Sequence, residues 1–171
     1  MRIFLVGYMC AGKTTLGKVL AESFSYDFID LDDYIAETQD LSVPDYFNLY
    51  GEESFRKTEY SSLRELLSKE NFVMATGGGT PCFFDNMNLM NEKGVTVYLK
   101  ASESELLNRL KELRSDRPLV KDKNAKELVS FVHEHLEGRI PFYEESHLTV
   151  DVDNWDVEVL SKEVINTLLK K

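Results

Sequence analysis

The sequence predicts a three-layer α/β/α fold built on a parallel sheet, and three observations carry that reading. Short apolar runs without polar alternation recur at residues 3–6, 28–29, 72–75, 95–99 and 148–152, as in strands buried on both faces. Helical stripes lie between and after them: Leu16, Val19, Leu20 and Phe24; Tyr60, Leu63, Leu66 and Leu67; Leu106, Leu107, Leu110 and Leu113; Leu160, Val164, Leu168 and Leu169. No repeat, low-complexity tract or linker divides the chain, so residues 1–171 are expected to form a single domain with right-handed crossovers.

Two stretches depart from the alternation. Residues 33–68 carry helical sequence but no strand, which predicts a helical insertion between two sheet strands. Residues 114–124 are highly charged and poor in apolar side chains. They read as a lid over a site or, equally on composition, as an ordinary solvated loop.

Composition narrows the function. The 171 residues are 43% hydrophobic and 29% charged, ordinary for a globular protein able to bury its own core. No run approaches the ~20 apolar residues of a membrane span. The first strand leads straight into Gly7 with no signal-peptide pattern ahead of it, so the cytoplasm is the expected compartment. Cys10 and Cys82 form neither a CxxC pair nor a metal-ligand spacing. A net charge of −10 argues against a nucleic-acid partner, and a small phosphate then requires positive groups focused in one cleft.

Gly7-Tyr8-Met9-Cys10-Ala11-Gly12-Lys13-Thr14 satisfies GxxxxGK[ST] between a strand and a helix. Such a loop turns backbone N–H groups toward phosphate oxygens, and the helix N-terminus adds a favourable dipole. Lys13 supplies a cation for the β- and γ-phosphates, and the Thr14 hydroxyl is a magnesium ligand, with Thr15 beside it. The NKxD signature of base-reading GTPases is missing. A kinase acting on a small molecule or a nucleotide remains.

Three further stretches describe an acceptor site. Phe28-Ile29-Asp30-Leu31-Asp32 ends the second apolar run with carboxylates two residues apart. They suit a magnesium ligand and a hydroxyl partner, or simply the N-cap of the next helix. Arg56 and Glu59, at i, i+3 on a helix, form either an oriented guanidinium or a surface ion pair. Gly77, Gly78 and Gly79 after the third strand allow a ligand close to the backbone, or a plain turn.

Taken in order, these motifs resemble the shikimate kinases: the loop with Met9, FxDxD, GExxFRxxE, GGG, RPL at Arg117–Leu119 and RxPxY at Arg139–Tyr143. The resemblance implies a nucleoside-monophosphate-kinase-like fold with five parallel strands, a substrate-binding helical insertion and a closing lid. It implies transfer of the γ-phosphoryl of ATP to the 3-hydroxyl of shikimate, with Mg2+ as cofactor, by a monomer in the cytoplasm. It further implies that Gly7, Cys10, Ala11, Gly12, Lys13, Thr14, Thr15 and Arg117 bind the nucleotide, with Thr14 and Asp30 on the magnesium side. Asp32 would bind the shikimate hydroxyls, Arg56 and Arg139 its carboxylate, and Gly78 a ring hydroxyl, between Gly77 and Gly79. Phe47, Phe55 and Glu59 would shape that pocket, and Lys13, Asp32 and Arg117 would carry the chemistry.

The chain departs from that pattern at Cys10, where the family usually has glycine, which raises the expectation of an oxidation-sensitive thiol. Val120 stands where leucine is common, and Arg109 and Arg114 compete for the adenine. Two other readings stay open: a related kinase for another small hydroxy acid such as gluconate, and a non-catalytic nucleotide-binding regulator.

Overall fold

The computed structural model describes residues 1–112 and 123–170. Five parallel strands form one sheet: β1 (Arg2–Val6), β2 (Asp27–Asp30), β3 (Phe72–Ala75), β4 (Val95–Lys100) and β5 (Leu148–Asp151), in the order β2-β3-β1-β4-β5. All five coincide with the apolar runs. β1 is central, with Leu5 in register with Ala75 on one side and Val97 on the other. Ile3 to Val6 are wholly buried, which is why their run shows no alternation.

Helices cover the sheet in three layers. α1 (Lys13–Phe24) packs on β2 and β3 and against the final helix, α8 (Val157–Leu168). Between β2 and β3 the chain forms α2 (Leu31–Gln39), then α3 (Val43–Leu66), which Ser42 caps at its start. α3 bends at Gly51, whose φ of 78° lies in the left-handed region that glycine tolerates. The bend joins two helical limbs and sets the Phe47 and Phe55 ring centroids 4.5 Å apart.

Three further helices have no counterpart among the expected stripes. α4 (Asn86–Lys93) and the four-residue α7 (Ile140–Tyr143) are too short to show a periodic face. α6 (Ala125–Glu137) is longer and buries Leu128, Val132 and Leu136, spaced by four, behind a capping box of Asn124 and Glu127. α5 (Glu103–Glu112) precedes it. Most of the charged stretch 114–124, with Arg114, Arg117 and Val120, lies outside the described residues.

This topology places the site. From β1 the chain crosses to β2 on one side, and from β3 to β4 on the other. The loops after β1 and β3 therefore flank a crevice at the strands' carboxyl ends, where ligands of such sheets bind.

Candidate active site

One wall of the crevice is the loop from Gly7 to Gly12. Gly12 takes φ 97° at the start of α1, and a Cβ there would run into the Trp155 ring. Cys10 also adopts a left-handed backbone, φ 64°, where a non-glycine residue costs about 1–2 kcal/mol. That conformation explains why glycine suits this position. The Cys10 carbonyl accepts from Arg109 Nη1 at 3.3 Å, while Arg109 also pairs with Glu105 at 2.7 Å and lies over Trp155. Of the two competing arginines, Arg109 is thus at the loop, and Arg114 falls outside the described residues.

Lys13 is buried and donates through Nζ to the carbonyls of Gly7 (2.8 Å) and Tyr8 (2.9 Å), which curl the loop around its ammonium. The Thr14 hydroxyl donates to Asp30 Oδ2 at 2.8 Å. Asp30 in turn caps α2, accepting from the Asp32 backbone N–H at 3.2 Å, so one carboxylate both caps the helix and bonds Thr14. Thr15 is exposed in the first turn of α1, and Ala11 is buried beneath the loop.

Thr14 and Asp30 suit magnesium, which takes one or two protein oxygens and completes its shell with phosphate and water. Among the described residues no group of three His, Cys, Asp or Glu side chains makes an all-protein metal cage.

The opposite wall is assembled from distant segments that meet at Gly77, Gly78 and Gly79. A Cβ on Gly77 would sit 2.8 Å from Glu59 Oε1 and 3.0 Å from Asp32 Oδ1. One on Gly78 would sit 3.1 Å from Arg139 Nη1 and 3.4 Å from the Met9 backbone nitrogen, so this turn touches both walls. One on Gly79 would collide with the Arg56 guanidinium at 2.7 Å. Side chains at these positions would fill the space that brings two arginines and two carboxylates together. The short turn Thr80–Cys82 follows, and the buried Thr80 hydroxyl donates to Glu59 Oε1 at 2.6 Å.

Asp32 lies in the first turn of α2, two residues past the end of β2, and not at the strand end that the sequence suggested. Burial, then the charges of Glu59 and Asp30, push its carboxyl up to about 6, against the opposing pull of Lys13 and Arg56. A carboxylate with that affinity for protons is a competent hydrogen-bond acceptor or base near neutral pH.

The two arginines differ in company. Arg56 is buried and bonds Glu59 and Glu52, each at 3.0 Å, with its guanidinium 4.3 Å from the centre of the Phe83 ring and further from Phe55 and Phe47. Glu59 is wholly buried, so this is no surface ion pair. Arg139, just beyond α6, lies over the Tyr8 ring and donates to His135 Nε2 at 2.9 Å. A planar guanidinium binds a carboxylate in bidentate fashion, and these two converge on one glycine turn.

The whole length of the chain has relatives among known proteins. The sequence profile named "Shikimate kinase" matches residues 9–169. The chain belongs to the shikimate kinase family. It is 46% identical over 169 residues to a shikimate kinase of Parabacteroides distasonis, covering 99% of this chain and 98% of that one. The crystal structure of a shikimate kinase from Bacteroides thetaiotaomicron superimposes with a TM-score of 0.94 at 41% identity, covering 98% of both chains. A shikimate kinase from Acinetobacter baumannii in complex with shikimate gives a TM-score of 0.89 at 32% identity, covering 99% of this chain and 93% of that one. As a shikimate kinase family member, the chain is an ATP-dependent kinase on the P-loop fold.

Most of these residues are legible in the sequence; Tyr8 and Glu52 stand out there only as motif positions without a role, and Thr80, Phe83, His135 and Trp155 do not stand out at all. His135 and Arg139 stand four apart, a spacing that would have paired them had α6 been read from Leu128, Val132 and Leu136. Trp155 follows β5 in an irregular segment, and nothing local tied it to Gly12.

Proposed function

We propose that this chain transfers the γ-phosphoryl group of ATP to the 3-hydroxyl of shikimate, giving shikimate 3-phosphate and ADP for aromatic amino-acid biosynthesis. The observation that carries this reading is the meeting of Asp32, Arg56 and Arg139 on the Gly77–Gly79 turn, across from Lys13. A ring bearing a carboxylate and neighbouring hydroxyls matches that set. The arginines take the carboxylate, and Asp32 takes a hydroxyl.

In this reading Arg139 and Arg56 fix the ring's orientation, the Gly78 backbone meets a ring hydroxyl, and Phe47, Phe55 and Glu59 hold Arg56 in place. Asp32 accepts the hydrogen bond of the attacking 3-hydroxyl and takes up its proton as the O–P bond forms. The nucleotide lies on the loop from Gly7 to Thr15, its phosphates against backbone N–H groups and Lys13 beside the transferred group. Thr14 and Asp30 hold Mg2+, which neutralises charge on the β- and γ-phosphates when bound. Arg117, in the charged stretch 114–124, would add positive charge for the phosphates. Residues 33–68 serve as the acceptor-binding insertion of a single domain. We infer a monomer acting in the cytoplasm.

Purified protein given Mg-ATP with either shikimate or gluconate tests the reading. ADP release that depends on shikimate, with little on gluconate, is expected. Preference for gluconate would assign a different acceptor, and no turnover of either would favour a non-catalytic nucleotide-binding role.

A further inference from the structure

Arg139 keeps unusual company for a buried cation. Among the described residues no carboxylate forms an ion pair with it, whereas Arg56 has Glu52 and Glu59. Its close side-chain partners are instead uncharged, the Tyr143 hydroxyl and His135 on the last turn of α6. Arginine offers only donors, so His135 Nε2 must accept, which puts the ring proton on Nδ1. Nδ1 lies 3.2 Å from Tyr8 Oη and donates to it. The imidazole is held edge-to-face against Tyr8 and 4.7 Å from the Phe131 ring.

We propose that His135 is a positioning residue for acceptor binding: as an uncharged hydrogen-bond acceptor it aims the Arg139 guanidinium at the Gly78 turn and leaves its positive charge for the substrate carboxylate. A glutamate at position 135 would grip Arg139 more strongly but would cancel that charge. Burial, then the Arg139 charge, hold the His135 pKa down to about 4, with Arg56 adding to this and Glu52 opposing it. The ring therefore stays an acceptor throughout the neutral range. Tyr8 completes the device from within the phosphate loop, accepting the Nδ1 proton that Arg139 dictates and linking the two walls of the crevice.

The inference rests on Arg139 binding the shikimate carboxylate. His135→Leu removes the acceptor. It is expected to raise the shikimate KM about tenfold while the ATP KM and kcat change by less than about twofold. His135→Gln, whose amide oxygen can accept in place of Nε2, is expected to recover most of that loss at similar thermal stability. Should His135→Leu fail to fold, Tyr8→Phe decides, with an expected rise in shikimate KM of about threefold. An unchanged shikimate KM, equal rises for both substrates, or no recovery with glutamine would overturn the role of His135. Wild-type protein inactive on shikimate would overturn the proposed function, and this inference with it.

Discussion

The two walls of the crevice are built on different principles. The phosphate wall is one contiguous loop whose working groups are mostly backbone, fixed by β1 before it and α1 after it. The acceptor wall draws side chains from α2, α3, the turn after β3 and the segment past α6, and it buries charges: Glu59 at 0% exposure, Arg56 at 8% and Arg139 at 9%. A backbone wall tolerates side-chain change, which is how Cys10 fits into it. A wall of interlocked charges does not where the groups are paired, because removing Arg56, Glu59 or Arg139 leaves a buried partner without its hydrogen bond.

That contrast can be broken by mutation. Lys13→Ala removes the one essential side-chain cation of the loop and should lower kcat about a thousandfold or more; near-normal turnover would refute its role. Asp32→Asn should lower kcat about 10²–10⁴-fold.

The same substitution should stabilise the protein. Burial raises the folded Asp32 carboxyl to about 6 from its ordinary 3.8, so between those pH values the folded state binds more protons and stability falls as pH rises. Asp32→Asn removes a penalty on the order of 1–3 kcal/mol at pH 7. Its advantage over wild type should vanish near pH 4 in urea melts of ligand-free protein. Wild-type kcat/KM should likewise fall as pH drops below about 6, as the base is protonated. A flat profile down to pH 5 would remove Asp32 from that role.

Arg139→Ala should raise the shikimate KM about 10- to 100-fold and leave the ATP KM nearly unchanged. Equal effects would take Arg139 out of the acceptor wall. Cys10→Gly should have the smallest effect, a gain of up to about 1 kcal/mol as a left-handed residue becomes glycine, partly offset by chain entropy. Destabilisation in a thermal melt would contradict the tolerance claimed for the backbone wall.

The same difference explains what could be read in the sequence. The β1–loop–α1 unit is legible because its residues are adjacent, and β1, β3 and β4 are legible because both of their faces are buried, whereas the edge strands β2 and β5 are partly exposed and show as runs mixed with polar residues. The acceptor wall was not derivable from spacing: each of its pieces had a bland alternative, and only their order, through a family resemblance, joined Asp32, Arg56, Gly78 and Arg139. Their meeting at the Gly77–Gly79 turn is a tertiary fact. The residues missed altogether, His135 and Trp155 among them, touch the site through partners far away in sequence.

The central claim is that the acceptor wall presents one hydroxyl of one ring to the γ-phosphate. Phosphorus–proton correlation NMR on the product formed from shikimate and Mg-ATP tests it directly. The account predicts one phosphate ester, coupled to the ring proton on carbon 3. Phosphate on another ring oxygen, or only free inorganic phosphate, would contradict it.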